Sequence, residues 1–274
     1  MLSFRDKNNR FSGQIKFICS AEINRYDMIT RLLNYGLKYL NLSIRPLPVY
    51  DDMEKEFLEL YSRYKSFTMT SIERMYAAFK SVEYIEKEGI EGAVVECGVW
   101  KGGSSMIMAS NLIKKGSVNR DFYLYDTFEG MPEPSEKDRD FRGISGRKDW
   151  EKNKRNDKNL WCYASLEEVR SNMKMTGYPE NRIHYIQGKV EDTIPSVIPK
   201  KIAILRLDTD WYESSYHELK YLYPLLIEKG ILILDDYGHW KGQRDAVDQY
   251  FSEEKIQLYL NRIDYTGRSA IKKP

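Results

Sequence analysis

Ile202-Ala203-Ile204-Leu205-Arg206-Leu207-Asp208 and, one helix-length later, Ile231-Leu232-Ile233-Leu234-Asp235-Asp236 set the architecture of this chain. Each run is short, almost wholly apolar and closed by a carboxylate, the pattern of a strand covered on both faces of a parallel sheet. Three runs of the same kind precede them, at 93–97, 122–125 and 183–186, with helical stretches between. The alternation predicts an α/β fold with a mostly parallel, twisted sheet. Ligands of such sheets sit outside the carboxyl ends of the strands, so chemistry is expected just after each run, at Gly98, Asp126, Gly188, Asp208 and Asp235. Residues 258–271, with Asp264-Tyr265-Thr266-Gly267 in the middle, read as a terminal hairpin that adds antiparallel pairing.

If the last two apolar runs are neighbours, about 4.8 Å apart, Asp208, Asp235 and Asp236 converge. Carboxylates about 4 Å apart repel by about 1–4 kcal/mol per pair, so such a cluster calls for a cation or for protons. Oxygen-only ligation selects Mg²⁺, Ca²⁺ or Mn²⁺ over zinc.

Upstream, Glu96-Cys97-Gly98-Val99-Trp100-Lys101-Gly102-Gly103-Ser104 forms a glycine-rich turn onto a helix that begins near Ser104. Its glycines let backbone approach a ligand, and the helix start presents unpaired amides. The spacing departs from GxGxxG, which disfavours a dinucleotide, and Glu96 at the strand end suits a cationic ligand. Asp126, about one strand-helix-strand unit later, stands where nucleotide-binding sheets place the carboxylate for ribose hydroxyls; the alternative is a loop aspartate capping its own turn.

Composition removes other classes. The 274 residues carry 43 basic and 41 acidic side chains, a net charge of +2, too balanced for a protein that wraps nucleic acid. No apolar run approaches the roughly 18 residues of a membrane-spanning helix. Cys19, Cys97 and Cys162 form no CxxC pair and fit a reduced, cytoplasmic setting, and the N-terminus is too broken by charge for a secretory signal. Residues 22–40 have amphipathic helical spacing, a second helix is expected over 52–64, and Thr70 or Ser71 caps a third that runs to about Lys87. The chain thus divides into an N-terminal helical extension, 1–66, and a main domain, 67–274. Within the latter, the polar and basic stretch 132–161 is long enough to be a lid over the substrate or a solvated excursion.

Five ordered motifs carry a family likeness: Met69-Thr70-Ser71; Val95-Glu96-Cys97-Gly98-Val99-Trp100-Lys101-Gly102-Gly103-Ser104; Tyr125-Asp126-Thr127-Phe128-Glu129-Gly130-Met131-Pro132; Leu205-Arg206-Leu207-Asp208-Thr209-Asp210-Trp211-Tyr212-Glu213-Ser214; and Asp235-Asp236-Tyr237. Together, over residues 67–251, they resemble the macrocin O-methyltransferase (TylF-like) family. The resemblance implies a Rossmann-like class I fold that uses S-adenosylmethionine, with Mg²⁺ or Mn²⁺ assisting methyl transfer to a sugar hydroxyl of a glycosylated natural product or surface glycan. It implies cofactor contacts from Met69, Thr70, Ser71, Glu96, Gly98, Trp100, Gly102, Ser104, Asp126, Thr127, Gly188, Val190, Asp192 and Asp208. Asp208, Asp235 and Asp236 match the family's metal ligands, with Asp208 also a general base, and the chain is expected to form a dimer or higher homo-oligomer. After Asp235-Asp236-Tyr237 this chain reads Gly238-His239-Trp240, a departure that leaves substrate contacts open.

His239 is a further candidate base, acceptor contact or ligand, against ordinary loop packing. His184 and His217 read as structural, Cys97 as buried and unreactive, and Trp100, Trp211 and Trp240 as walls of the crevice or plain core-edge aromatics. Two rival functions are a nicotinamide-dependent sugar oxidoreductase, opposed by the missing GxGxxG, and a non-catalytic carbohydrate-binding relative, opposed by the three retained carboxylates.

Overall fold

A computed structural model of the chain describes residues 50–155 and 158–273. The amphipathic stretch 22–40 and Cys19 lie outside the described residues. The chain divides into two units, Met1–Glu54 and Lys55–Pro274. The second therefore begins before the expected division at 66/67 and takes in the first described helix, α1 (Lys55–Tyr64). That helix buries Phe57, Leu60 and Tyr64 on one stripe, and the Tyr64 hydroxyl meets Ser110 Oγ at 2.8 Å. Each such ring or leucine contributes about 1.5–3 kcal/mol by leaving water.

Next comes α2 (Ile72–Lys87), capped by Ser71, whose hydroxyl accepts from the Arg74 amide. The sheet then builds as β1 (Ala93–Cys97), β2 (Phe122–Asp126), β5 (Ile183–Gln187), β6 (Ile202–Leu207) and β7 (Leu226–Leu234), with α3 (Gly103–Lys114) after β1 and α7 (Tyr212–Leu222) after β6. The sheet order is β5-β2-β1-β6-β7-β9-β8. All neighbours are parallel except at the end, where β9 (Arg268–Ile271) runs antiparallel to both β7 and β8 (Asn261–Arg262). This is the mostly parallel, Rossmann-like sheet with a terminal antiparallel hairpin that the apolar runs and 258–271 predict. β7 starts earlier than the run 231–234 because a bulge absorbs the polar Glu228-Lys229-Gly230: Ile202 pairs with Leu226 while Ile204 pairs with Ile231.

Period-two alternation decides which side chains meet. Val95, Cys97, Leu205, Leu207, Leu232 and Leu234 share a core with Leu219 and Leu222 of α7 and with Val247 and Tyr250 of α8 (Lys241–Glu253). Their alternates, including Glu96 and Arg206, face the other way. Glu96 and Arg206 are register partners across β1 and β6, so two opposite charges stand side by side in the sheet.

The stretch 132–161 is folded. It contains α4 (Arg147–Asn153) and a short pair, β3 (Lys154–Arg155) with β4 (Lys158–Asn159). Buried Asp138 accepts from the Tyr212 amide at 2.8 Å, and Asp140 bridges to Trp240. A helix, α5 (Leu166–Lys174), and the single turn α6 (Val190–Thr193) complete the elements used below.

Candidate functional site

The ends of β1, β2, β6 and β7 open onto one cleft of about 310 Å³, within the size class of small-molecule sites. Its shape starts from the glycine turn. Gly98 adopts φ +81°, and a Cβ there would stand 2.0 Å from the Asp208 carbonyl oxygen. Glycine is thus required by the close approach of the β1 and β6 ends, independently of any ligand. Trp100, Cys162 and Asp210 line the same cleft in the left-handed region, at φ 47°, 52° and 65°. Non-glycine residues held there carry strain of the kind that gathers at functional sites.

The carboxylate cluster forms as expected. Asp208, Asp235 and Asp236 each offer an oxygen within 4.8 Å of the others. The structure adds a fourth member, Asp210, which sequence reading passed over although Asp208-Thr209-Asp210 brings a second carboxylate just past the same strand end. Burial and the charge of Asp208 raise its carboxyl to about 7. Burial, then Asp235 and Asp236, push Asp208 well above the usual range against the pull of Arg206, and burial with Asp210 and Asp235 does the same to Asp236. Asp236 Oδ2 is buried without a hydrogen-bond partner.

Two arginines, also passed over, hold this cluster. Arg206, 2% exposed, donates to Glu96 at 2.6 Å and to Asp235 Oδ1 at 2.5 Å, and pairs with Asp208 at 2.8 Å. Arg74 of α2 pairs with Asp235 Oδ2 and, at 3.0 Å, with Asp264 in the hairpin turn. Ser105 of α3 donates to the second Glu96 oxygen. Glu96, expected to face a cationic ligand, lines the cleft while both its oxygens are also engaged by protein partners.

Asp126 behaves similarly. Its Oδ2 accepts from the Val99 and Trp100 amides at 2.7 and 3.0 Å, and Oδ1 from Phe128 at 2.8 Å, so it pins the glycine turn while lining the cleft. Met69, Thr70, Gly98, Trp100, Ser104, Thr127, Gly188 and Val190 also line it. Ser71, Gly102 and Asp192 do not: Ser71 caps α2 and bonds Asp264, Gly102 turns toward Val169 and Met173 of α5, and Asp192 is exposed on α6.

His239 lines the cleft, and its backbone amide donates to the Asp236 carbonyl at 2.8 Å. Burial lowers its imidazole. Trp161, Trp211 and Trp240 form a mutual cluster, with centroids 4.9–6.2 Å apart, at the same end; Trp211 Nε1 donates to the Pro132 carbonyl at 3.0 Å. The indoles of Trp161 and Trp240 thus wall the crevice, while Trp211 braces the 132–161 segment. Cys97 is buried, with its thiol pushed up mainly by burial.

The pattern of the macrocin-O-methyltransferase (TylF) family matches residues 60–270. The chain is 33% identical over 200 residues to the 8-demethyl-8-(2,3-dimethoxy-α-L-rhamnosyl)-tetracenomycin-C 4′-O-methyltransferase of Streptomyces olivaceus, covering 73% of each chain. It is 32% identical to the demethyldecarbamoylnovobiocin O-methyltransferase of Streptomyces niveus over the same shares. Among solved structures, the O-methyltransferase NovP superposes with a TM-score of 0.67 at 30% identity, covering 76% of this chain and 83% of that one.

Proposed function

The chain belongs to the macrocin O-methyltransferase (TylF) family, S-adenosylmethionine-dependent O-methyltransferases, and on that premise we propose that it methylates a sugar hydroxyl of a glycosylated natural product with help from Mg²⁺ or Mn²⁺. The observation that carries the metal reading is the convergence of Asp208, Asp235 and Asp236 on the cleft, with one buried oxygen of Asp236 left without a partner. The donors are hard oxygens, which fits such a cation. Asp235 already answers two guanidiniums, so Asp208 and Asp236 carry most of the free donor capacity. When bound, a divalent cation polarises a coordinated hydroxyl and offsets charge that the cluster otherwise meets with protons.

S-adenosylmethionine supplies an activated methyl group, leaving the protein to align it and to take a proton. Gly98, Trp100, Asp126, Thr127, Gly188 and Val190 hold the cofactor along the β1, β2 and β5 ends, with Asp126 fixing the turn that approaches it. Asp208 and Asp210, at the end of β6, face the acceptor side and serve as the proton-accepting pair. His239, with an imidazole neutral at pH 7, stands next to them among aromatic rings and shapes the acceptor side. Arg206 and Arg74 keep the carboxylates in place. The enzyme works in the cytoplasm as a homo-oligomer.

Mass spectrometry of glycosides incubated with S-adenosylmethionine tests the reading. A gain of one methyl group that EDTA abolishes and Mg²⁺ restores is expected; undiminished methylation in EDTA removes the metal, and no methylation of any glycoside removes the acceptor class.

A further inference from the structure

Glu218 of α7 is fully buried, lies outside the cleft lining and takes no part in the chemistry assigned above. A carboxyl group in a core is costly unless it is hydrogen-bonded, so its partner is informative. Its Oε1 accepts from the Thr209 hydroxyl at 2.9 Å, and Thr209 is the middle residue of Asp208-Thr209-Asp210. Alternation along β6 explains the meeting. Leu205 and Leu207 pack toward α7, Arg206 and Asp208 pair on the opposite face, and Thr209 returns to the α7 side. The Cys97 thiol is a second polar neighbour of the same carboxyl group.

The turn above Glu218 is also held by backbone at both ends. The Asp208 amide donates to the Cys97 carbonyl at 2.8 Å, and the Trp211 amide reaches back to the Thr209 carbonyl at 2.7 Å. Between them Asp210 sits at φ +65°, a left-handed conformation that persists only where the surroundings impose it. The Thr209 hydroxyl ties the turn from the far face of the sheet, next to that strained residue. Burial raises the Glu218 carboxyl well above its usual range, and Glu191 and Asp208 add to the rise. The group is therefore a neutral acid at pH 7, able to lie beneath a carboxylate cluster without adding charge to it.

We propose that Glu218 is a positioning residue for the reaction: through the Thr209 hydroxyl it fixes the turn that presents Asp208 and Asp210 to the cleft. This rests on the metal and proton-accepting roles proposed above for those aspartates. What the turn needs from position 218 is an acceptor oxygen, so an amide can replace the acid, and serine can replace threonine. An apolar substitute for either partner releases the turn, and the cation assigned to Asp208 and Asp236 is then held less tightly.

The test compares wild type with Glu218→Leu, Thr209→Val, the two combined, Glu218→Gln and Thr209→Ser, all saturated with S-adenosylhomocysteine. Two readouts are taken: Mg²⁺ binding by calorimetry, and hydrogen exchange of the 205–214 segment by mass spectrometry. Glu218→Leu and Thr209→Val are each expected to weaken Mg²⁺ binding about tenfold, the scale of one lost hydrogen bond, and to speed exchange in 205–214 by a similar factor. Exchange in β2 and affinity for S-adenosylhomocysteine stay unchanged. The double variant is no worse than either single one, and Glu218→Gln and Thr209→Ser stay within about twofold of wild type. Thr209→Val keeps the shape of its side chain, so it carries the test if Glu218→Leu does not fold. Unchanged Mg²⁺ affinity and exchange in Thr209→Val, additive losses in the double variant, or a Glu218→Gln as impaired as Glu218→Leu overturns the anchor. A wild type that binds no Mg²⁺ strikes the metal reading instead, and exchange in 205–214 then decides the anchor alone.

Discussion

Replacing Arg206 with methionine removes the cation shared by Glu96, Asp208 and Asp235 while keeping similar bulk in the sheet. Asp235 retains Arg74, but Glu96, 1% exposed, is left with only the Ser105 hydroxyl. A stranded buried carboxylate escapes its charge by protonation. For a glutamate with an ordinary pKa near 4.3, neutralisation at pH 7.5 costs about 3.2 × 1.36, or roughly 4 kcal/mol. That agrees with the ~3–5 kcal/mol typical of breaking a buried ion pair. At pH 5.5 the same arithmetic gives about 1.6 kcal/mol. Urea unfolding followed by tryptophan fluorescence, run on both proteins at both pH values, should show the deficit of Arg206→Met shrinking by about 2–3 kcal/mol on acidification. A deficit below about 1 kcal/mol at pH 7.5, or one that does not change with pH, would refute the idea that Arg206 compensates buried charge.

Asp208→Asn is expected to cut turnover at least about a hundredfold, the scale of a lost proton acceptor, while S-adenosylhomocysteine binding by calorimetry largely survives. Asp235→Asn should also abolish turnover with the cofactor still bound, measured in the same way. Gly98→Ala should destabilise the fold by more than about 2 kcal/mol in urea, since its methyl group would collide with the Asp208 carbonyl in a left-handed conformation. The metal-free protein should lose stability as pH rises: Asp210, near 7, and Asp208, Asp236 and Glu218, all raised by burial, hold protons in the native state that the unfolded chain has already released. Native protein binds more protons between about pH 4 and 7, so stability falls through that window, whereas the lowered Asp140 and Asp264 act only below about pH 4. Differential scanning calorimetry should show Tm dropping by roughly 4 °C or more from pH 5 to 7.5 without metal, with a flatter slope in Mg²⁺; a rise would contradict the assignment.

Much of this was legible in residue order. Five apolar runs and a turn-centred tail gave the sheet and its hairpin, because burial on both faces leaves a local signature. The aspartate trio followed from strand adjacency alone. What connects the trio did not, since Arg206 and Glu96 are 110 positions apart and no periodicity announces their pairing. A signal was nonetheless present: each is a lone charge inside an otherwise apolar strand, and two buried opposite charges require each other. Residues 132–161 read as a loop because surface lysines and arginines dilute the buried ties, Asp138 to Tyr212 and Asp140 to Trp240, that fold them. Asp126 and Glu96 both line the cleft toward which the sequence points them, but the structure adds what the sequence does not show: Asp126 also pins the amides of its own turn and Glu96 also holds Arg206 and Ser105, as buried polar groups must.

Titrating Mg²⁺ into protein loaded with S-adenosylhomocysteine, with heat as the readout, asks whether the strand-end carboxylates hold a cation. One equivalent per chain is predicted for the wild type, and none for Asp208→Asn or Asp236→Asn. No binding to the wild type, or binding that survives both substitutions, would contradict the account.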